Sequence, residues 1–229
     1  MNFLSHYYFD RTSDDPYLVL GTVLPDLLKN ANKNWNPHPQ KQEALFQDEP
    51  AHRSLLEGWK RHLLVDKYFH SSAFFNAHLA QLKQAIGSCL QPSKVWPSFL
   101  AHISLELMLD SLLITDDMID VDQFYEHLKQ SNSEKIADFL KLNQIEETEQ
   151  FFSFFEKFIA SHYLDSYRDS EKIVYALNRI SMRLWPDGLA QADTKELTRV
   201  MMEYRERLKA DFRTIFEEIQ LKMNKHLKP

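Results

Sequence analysis

Apolar residues recur at three- and four-residue intervals along nearly the whole chain, so the elements it predicts are helices. Met1–Phe9 reads as a short helix with Phe3, Leu4, Tyr7 and Tyr8 apolar and His6 among them, broken by the cap-and-turn run Ser13-Asp14-Asp15-Pro16. A second helix runs from about Pro16 to Lys29, with Pro25 expected to bend or restart it just before Asp26. The polar, proline-bearing stretch 30–50 predicts a long mobile loop with one helical turn at QEALF, in the position of a lid. Helical periodicity then holds from about Ala51 to Ile86, closed by Gly87, and again from about Trp96 to Ile114. VDQFYEHLKQ and SEKIADFLKL follow as short amphipathic helices, then a phenylalanine-rich helix within EETEQFFSFFEKFIASHYLDSY, then SEKIVYALNRISMRLW, closed by Pro186-Asp187-Gly188. The last pattern, Thr194 to about Lys225, carries one unbroken apolar stripe that serves as a core face and offers a seam for a homodimer.

Only four glycines punctuate the 229 residues, fewer than strand-rich folds need for their turns. The expected fold is therefore all-α, a helical bundle in a single domain spanning 1–229. With 44% apolar and 26% charged residues the chain can bury a core of its own. A net charge of −6 gives no bulk attraction to nucleic acid or to an anionic bilayer. The longest apolar run, LAHISLELMLDSLLI, is short of the ~20 residues of a membrane span and contains His102, Glu106 and Asp110, so stable membrane insertion is not expected. A lone Cys89 and an N-terminus without a secretory signal point to the cytoplasm.

The chemistry sits on two of the apolar helices. In GWKRHLLVDKYFH, His62, Asp66 and His70 recur every four residues and share one helical stripe; in AHISLELMLDSLL, His102, Glu106 and Asp110 repeat the spacing. A carboxylate on the apolar face of a helix costs several kcal/mol unless it is paired or bound to a metal. Asp26, Asp66, Glu106 and Asp110 all have such surroundings, and together with the histidines they predict a divalent-metal site. Imidazoles and carboxylates without thiolates suit Mn²⁺, Fe²⁺, Zn²⁺ or Mg²⁺. In hydrolases such ions neutralise a phosphoryl oxygen and lower the pKa of water, so phosphoester hydrolysis is the expected reaction. Lys60 and Arg61 stand beside the first motif as candidate phosphate contacts, and His70 ends it as a further substrate contact. No Gly-rich phosphate loop, Gly-x-Ser-x-Gly elbow or His-Glu-x-x-His motif is present.

The ordered set of motifs resembles one family. MNFLSH opens the chain, Gly-x-x-x-x-Asp falls at Gly21–Asp26, Gly-x-x-x-His-x-x-x-Asp at Gly58–Asp66, acid-x-x-x-Asp at Glu106–Asp110, and Tyr-Arg-Asp within SYRDSEKIVYALNRISMR. These resemble the acyl carrier protein phosphodiesterases, a family similar in its helical fold to the HD-domain phosphohydrolases. The resemblance implies a manganese-dependent hydrolase that removes 4′-phosphopantetheine from holo acyl carrier protein, the protein partner. It implies site roles for His6, Asp26, His62, Asp66 and Asp110, with Asp66 and Asp26 as the catalytic pair; His102 has no counterpart in it and rests on spacing. The sequence departs from the family at Leu63, His70, Glu106 and Ser111, where the family commonly has Arg, Asp, Asp and His. A weaker likeness, through Gly21–Asp26 and His62–His70, is to the helical zinc-dependent phospholipase C group. A third reading is a non-catalytic helical binding protein whose buried acids pair with Arg or Lys.

Overall fold

The computed structural model describes residues 1–226 and is built from helices throughout, with no strand among the described residues. In chain order these are α1 (Phe3–Tyr7), α2 (Pro16–Ala31), α3 (Pro50–His70), α4 (Ala73–Ile86), α5 (Pro97–Thr115), α6 (Val121–Gln130), α7 (Ser133–Leu142), α8 (Thr148–Ser161), α9 (Ser170–Ser181), α10 (Thr194–Leu208) and α11 (Phe212–His226), joined by turns and short 3-10 segments. The all-α expectation is met. The chain forms two compact units, the first from Met1–Asp66 with Ile119–Leu164, the second from Lys67–Met118 with the chain from Asp165 onward.

In the first unit α2 is the central element, packing against α1, α6 and α8. Asp15 caps its start by accepting from Tyr17 N at 2.9 Å and Leu18 N at 3.3 Å, with Pro16 in the first turn, where its missing N–H costs nothing. The helix runs on through Pro25 to Ala31 rather than restarting there. It also meets α3, and glycine sets the distance there. A Cβ on Gly21 would stand 2.4 Å from the Leu55 carbonyl oxygen, and one on Gly58 would stand 2.2 Å from that of Leu18. Only hydrogen-sized side chains let the two backbones touch there.

The stretch before α3 has the turn expected at QEALF, and its far end is anchored to the core. It contains 3-10 turns at Pro39–Lys41 and Glu43–Phe46, and the buried Phe46 ring packs 4.8 Å from Phe139, which pins the segment's far end to the core. The expected helix over Ala51–Ile86 is two helices: Ser72 caps α4, its Oγ accepting from Phe75 N at 3.0 Å.

In the second unit α5 packs against α4 and α9 and carries apolar residues on every side, interrupted by His102, Glu106 and Asp110. By length and composition it could cross a membrane, but 72% of that span is buried in the fold. Its polar positions have work to do: Ser111 Oγ accepts from Arg205 Nε at 2.9 Å, and Asp110 is fully buried. The expected last helix is also two, α10 and α11, parted at Lys209–Asp211. Leu208 and Phe212, on either side of the break, are both fully buried, so the apolar stripe passes through it unbroken.

Candidate metal centre

The first unit brings His6 from α1 together with His62 and Asp66 from α3, one ligand atom of each lying within 4.8 Å of the others. His62 and Asp66 are one helical turn apart, so their side chains meet on one stripe of α3, and His62 Nε2 lies 3.5 Å from Asp66 Oδ2. His6 arrives from the opposite side. Its ring stacks on that of His62 with centroids 3.8 Å apart and planes 16° from parallel, and its Nε2 lies 3.3 Å from Asp66 Oδ1.

The proton positions follow from the surroundings. His62 Nδ1 is 2.8 Å from the Thr22 backbone oxygen, which can only accept, so Nδ1 carries a proton and Nε2 is the nitrogen that faces Asp66. Thr22 is one residue beyond Gly21, so the glycine contact between α2 and α3 is what brings its carbonyl within reach. His6 is wholly buried, and neither of its ring nitrogens makes a hydrogen bond among the described residues. Burial, and after it the neighbouring His62, lower its pKa from 6.5 to about 4 against the pull of Asp66, which leaves a neutral imidazole at physiological pH.

Asp66 is the charged member. Burial alone would raise its pKa, but the Met1 amino group 2.6 Å from Oδ1, together with His6 and His62, outweighs burial and holds the carboxyl far below the usual carboxylate range. Two imidazoles, that of His6 neutral, and one firmly ionised carboxylate, with separations of 3.3 and 3.5 Å, fit a divalent first-row ion with ligand bonds of ~2.0–2.2 Å. The buried, unbonded nitrogens of His6 are the strongest sign of fit, because a buried ring nitrogen without a partner costs about 1–3 kcal/mol that a metal bond would recover.

The remaining predicted residues are not members of that three-residue group. Asp26 is half-buried on α2 one turn beyond Thr22, on the unit that holds the cluster, but it is not a member of the three-residue group. Asp110 lies inside α5 in the second unit. His70, His102 and Glu106 form a group of their own, also in the second unit. Lys60 and Arg61, expected to meet substrate phosphate, are engaged with carboxylates instead. Lys60 Nζ is 2.6 Å from Glu43, and Arg61 Nη2 is 2.6 Å from Asp10, whose side chain is 3% exposed. Removing Arg61 from that contact would strand a buried acid, so its role is structural.

The Thr22 carbonyl, the Met1 amino group and Asp10 were not foreseen. A backbone carbonyl has no signature in sequence, and Asp10 would have needed its partner across the fold. The one available signal was the pair of glycines, Gly21 and Gly58, each on an apolar helix that has few other small residues.

A family model described as acyl carrier protein phosphodiesterase matches residues 1–219. No curated protein and no solved structure is matched.

Proposed function

Since the chain belongs to the acyl carrier protein phosphodiesterase family, we propose that it is a metal-dependent phosphodiesterase that releases 4′-phosphopantetheine from the serine of holo acyl carrier protein, with His6, His62 and Asp66 as the core of its metal centre. The observation that carries this reading is the buried, unbonded imidazole of His6 stacked on a histidine whose tautomer is fixed by Thr22. Mn²⁺ is the ion that the family resemblance implies, with Zn²⁺, Fe²⁺ and Mg²⁺ as alternatives for the same donor set. When bound, such an ion supplies Lewis acidity toward a phosphoryl oxygen and lowers the pKa of water.

The chain's own residues divide the remaining tasks. His62 keeps its proton at Nδ1 on the Thr22 oxygen and presents Nε2 as a lone-pair donor. Asp66 is too acidic to take a proton near neutrality, so it contributes charge and position. Asp26 is the carboxylate assigned to proton transfer: it accepts a proton from the attacking water and returns it to the serine oxygen as the phosphorus–oxygen bond to serine breaks. Apo acyl carrier protein and 4′-phosphopantetheine are the products, and atoms balance with one water consumed.

The test is hydrolysis of bis-p-nitrophenyl phosphate by protein stripped of metal and then resupplied with Mn²⁺. Activity should return with the ion in the wild type and not in His62→Ala. Hydrolysis that is indifferent to chelation, or a His62→Ala protein as active as wild type, would refute the proposal.

A further inference from the structure

The polar stretch between α2 and α3 has no part in the steps above, yet it forms one wall of a pocket of about 370 Å³, within the ~300–1,000 Å³ of small-molecule sites. The other wall is the turn that joins α7 to α8. Both walls belong to the first unit. Five carboxamide residues line the pocket, Asn34, Asn36 and Gln42 on the first wall and Asn143 and Gln144 on the second. Trp35, His38 and Lys41 stand among them, and no acidic residue does.

Much of this hydrogen-bonding capacity is unspent inside the protein. Among the described residues the side chains of Asn34, Gln42 and Gln144 make no hydrogen bond, Lys41 makes no ion pair, and the half-buried Trp35 ring meets no other aromatic ring. The backbone beneath them is tied down. Asn32 Oδ1 accepts from Asn34 N at 3.0 Å, and Trp35 N donates to the Asn32 oxygen at 3.1 Å. Gln150 Nε2 donates to the Ala31 oxygen at 3.1 Å, which fastens the end of α2 to the first turn of α8. Pro37 and the buried Pro39 fix their own φ, and Lys41 N donates to the His38 oxygen at 2.9 Å. A wall held in this way, with its side chains uncommitted, is preorganised for a ligand.

The second wall carries an independent sign. Gln144 has a φ of +63°, in the left-handed region that glycine or asparagine commonly fills just past a helix end. Its N–H donates to the Lys141 oxygen at 2.8 Å and that of Ile145 to the Leu140 oxygen at 3.0 Å, which closes α7. Glycine would make the same two bonds without strain, so closing the helix does not account for the glutamine side chain. A carboxamide required at the pocket wall does.

A carboxamide donates and accepts at once, and its natural complement is another amide. The indole adds a flat apolar face, and Lys41 disfavours a cation. The ligand class is therefore a small, non-cationic molecule that carries amides. The pantetheine arm is such a molecule, a thin chain with two amides. Thr22, whose carbonyl holds His62, and Ala31, the last residue of α2, are about 14 Å apart by helical rise, and the extended arm is roughly 15 Å long, the length of about four extended residues. We propose that this pocket binds the amide-bearing end of the pantetheine arm and thereby selects the substrate. The identity of the ligand rests on the phosphodiesterase reading, whereas the preference for amides rests on the lining residues.

The test is calorimetric titration of the full-length, metal-stripped protein with D-pantetheine. The wild type should bind one equivalent, and D-glucose, which offers hydroxyls without amides, should not compete. Trp35→Ala should weaken binding about tenfold through loss of one ring face. Gln144→Gly should weaken it as well while Tm in a circular dichroism melt stays at or above the wild-type value, because glycine suits the left-handed turn. A glutamine that only shaped the turn would not separate binding from stability in this way. If Trp35→Ala does not fold, Gln144→Gly alone decides. Wild-type protein that binds no D-pantetheine would overturn the proposal, as would folded variants that bind it like the wild type, or glucose that competes equally. Failure of the phosphodiesterase reading looks different: holo acyl carrier protein left intact by Mn²⁺-loaded protein that still binds D-pantetheine would reject the reaction and uphold the pocket.

Discussion

Adding one methyl group at Gly58 should both destabilise the first unit and loosen the metal centre. In Gly58→Ala the new Cβ would lie 2.2 Å from the Leu18 carbonyl oxygen and 2.8 Å from the backbone of Gly21. These are backbone atoms of a neighbouring helix, so no side chain can rotate away; α2 and α3 must part by about 1 Å to restore ordinary contact distances. Overpacking of this kind costs about 1–3 kcal/mol, and the upper end applies because the obstacle is backbone. Against it stands the helix preference of alanine over glycine, about 1 kcal/mol. The net expectation is a loss of about 2 kcal/mol, which for a chain of this length lowers Tm by about 4–8 °C. The same separation would stretch the 2.8 Å contact between His62 Nδ1 and the Thr22 oxygen beyond hydrogen-bond length, freeing the tautomer. Thermal melts with and without Mn²⁺ read both effects: a lower Tm in the stripped protein, and a smaller rise on adding the ion. A Gly58→Ala protein as stable as wild type, or about 1 kcal/mol more stable as for an exposed helix glycine, would refute the close approach of α2 and α3.

Three further outcomes follow from the same geometry. His6→Phe removes one of the groups that hold Asp66 ionised and puts an apolar ring of similar size in its place, so the stripped protein should gain no stability in urea denaturation, and it should lose its stabilisation by Mn²⁺. Because the folded pKa of His6 is lowered from 6.5 to about 4, the unfolded chain takes up the proton first; stability of the stripped protein is therefore fully present above pH 6.5 and falls by about 3 kcal/mol as pH drops through that window toward 4, and His6→Phe should remove that slope. Arg61→Ala leaves the buried Asp10 carboxyl without its partner and should cost about 2–4 kcal/mol at pH 7 by denaturant titration; the loss should shrink in acid, because burial already pushes the Asp10 pKa up and protonation relieves the stranded charge.

Periodicity identified the helices because each one buries an apolar face, and burial is what periodicity records. It could not locate the break at Ser71-Ser72, where helical spacing continues on both sides and a single serine cap decides the matter. Nor could it find the break at Lys209–Asp211, since Leu208 and Phe212 keep the stripe in phase across it. The pairing of His62 with Asp66, and of His102 with Glu106, was legible because one helical turn is enough to join them. Grouping was not legible: spacing along α3 makes His62, Asp66 and His70 equivalent, whereas the fold gives the first two to His6 and the third to His102. Lys60 and Arg61 illustrate the same limit, because Glu43 and Asp10, their partners, lie 17 and 51 residues away in the chain.

The intact mass of holo acyl carrier protein after incubation with the metal-stripped protein, with and without added Mn²⁺, reads the proposed reaction itself. Conversion to the apo mass with release of 4′-phosphopantetheine, dependent on the ion and absent in His62→Ala, is the expected result. Holo acyl carrier protein left unchanged by a folded, Mn²⁺-loaded wild-type protein would contradict it.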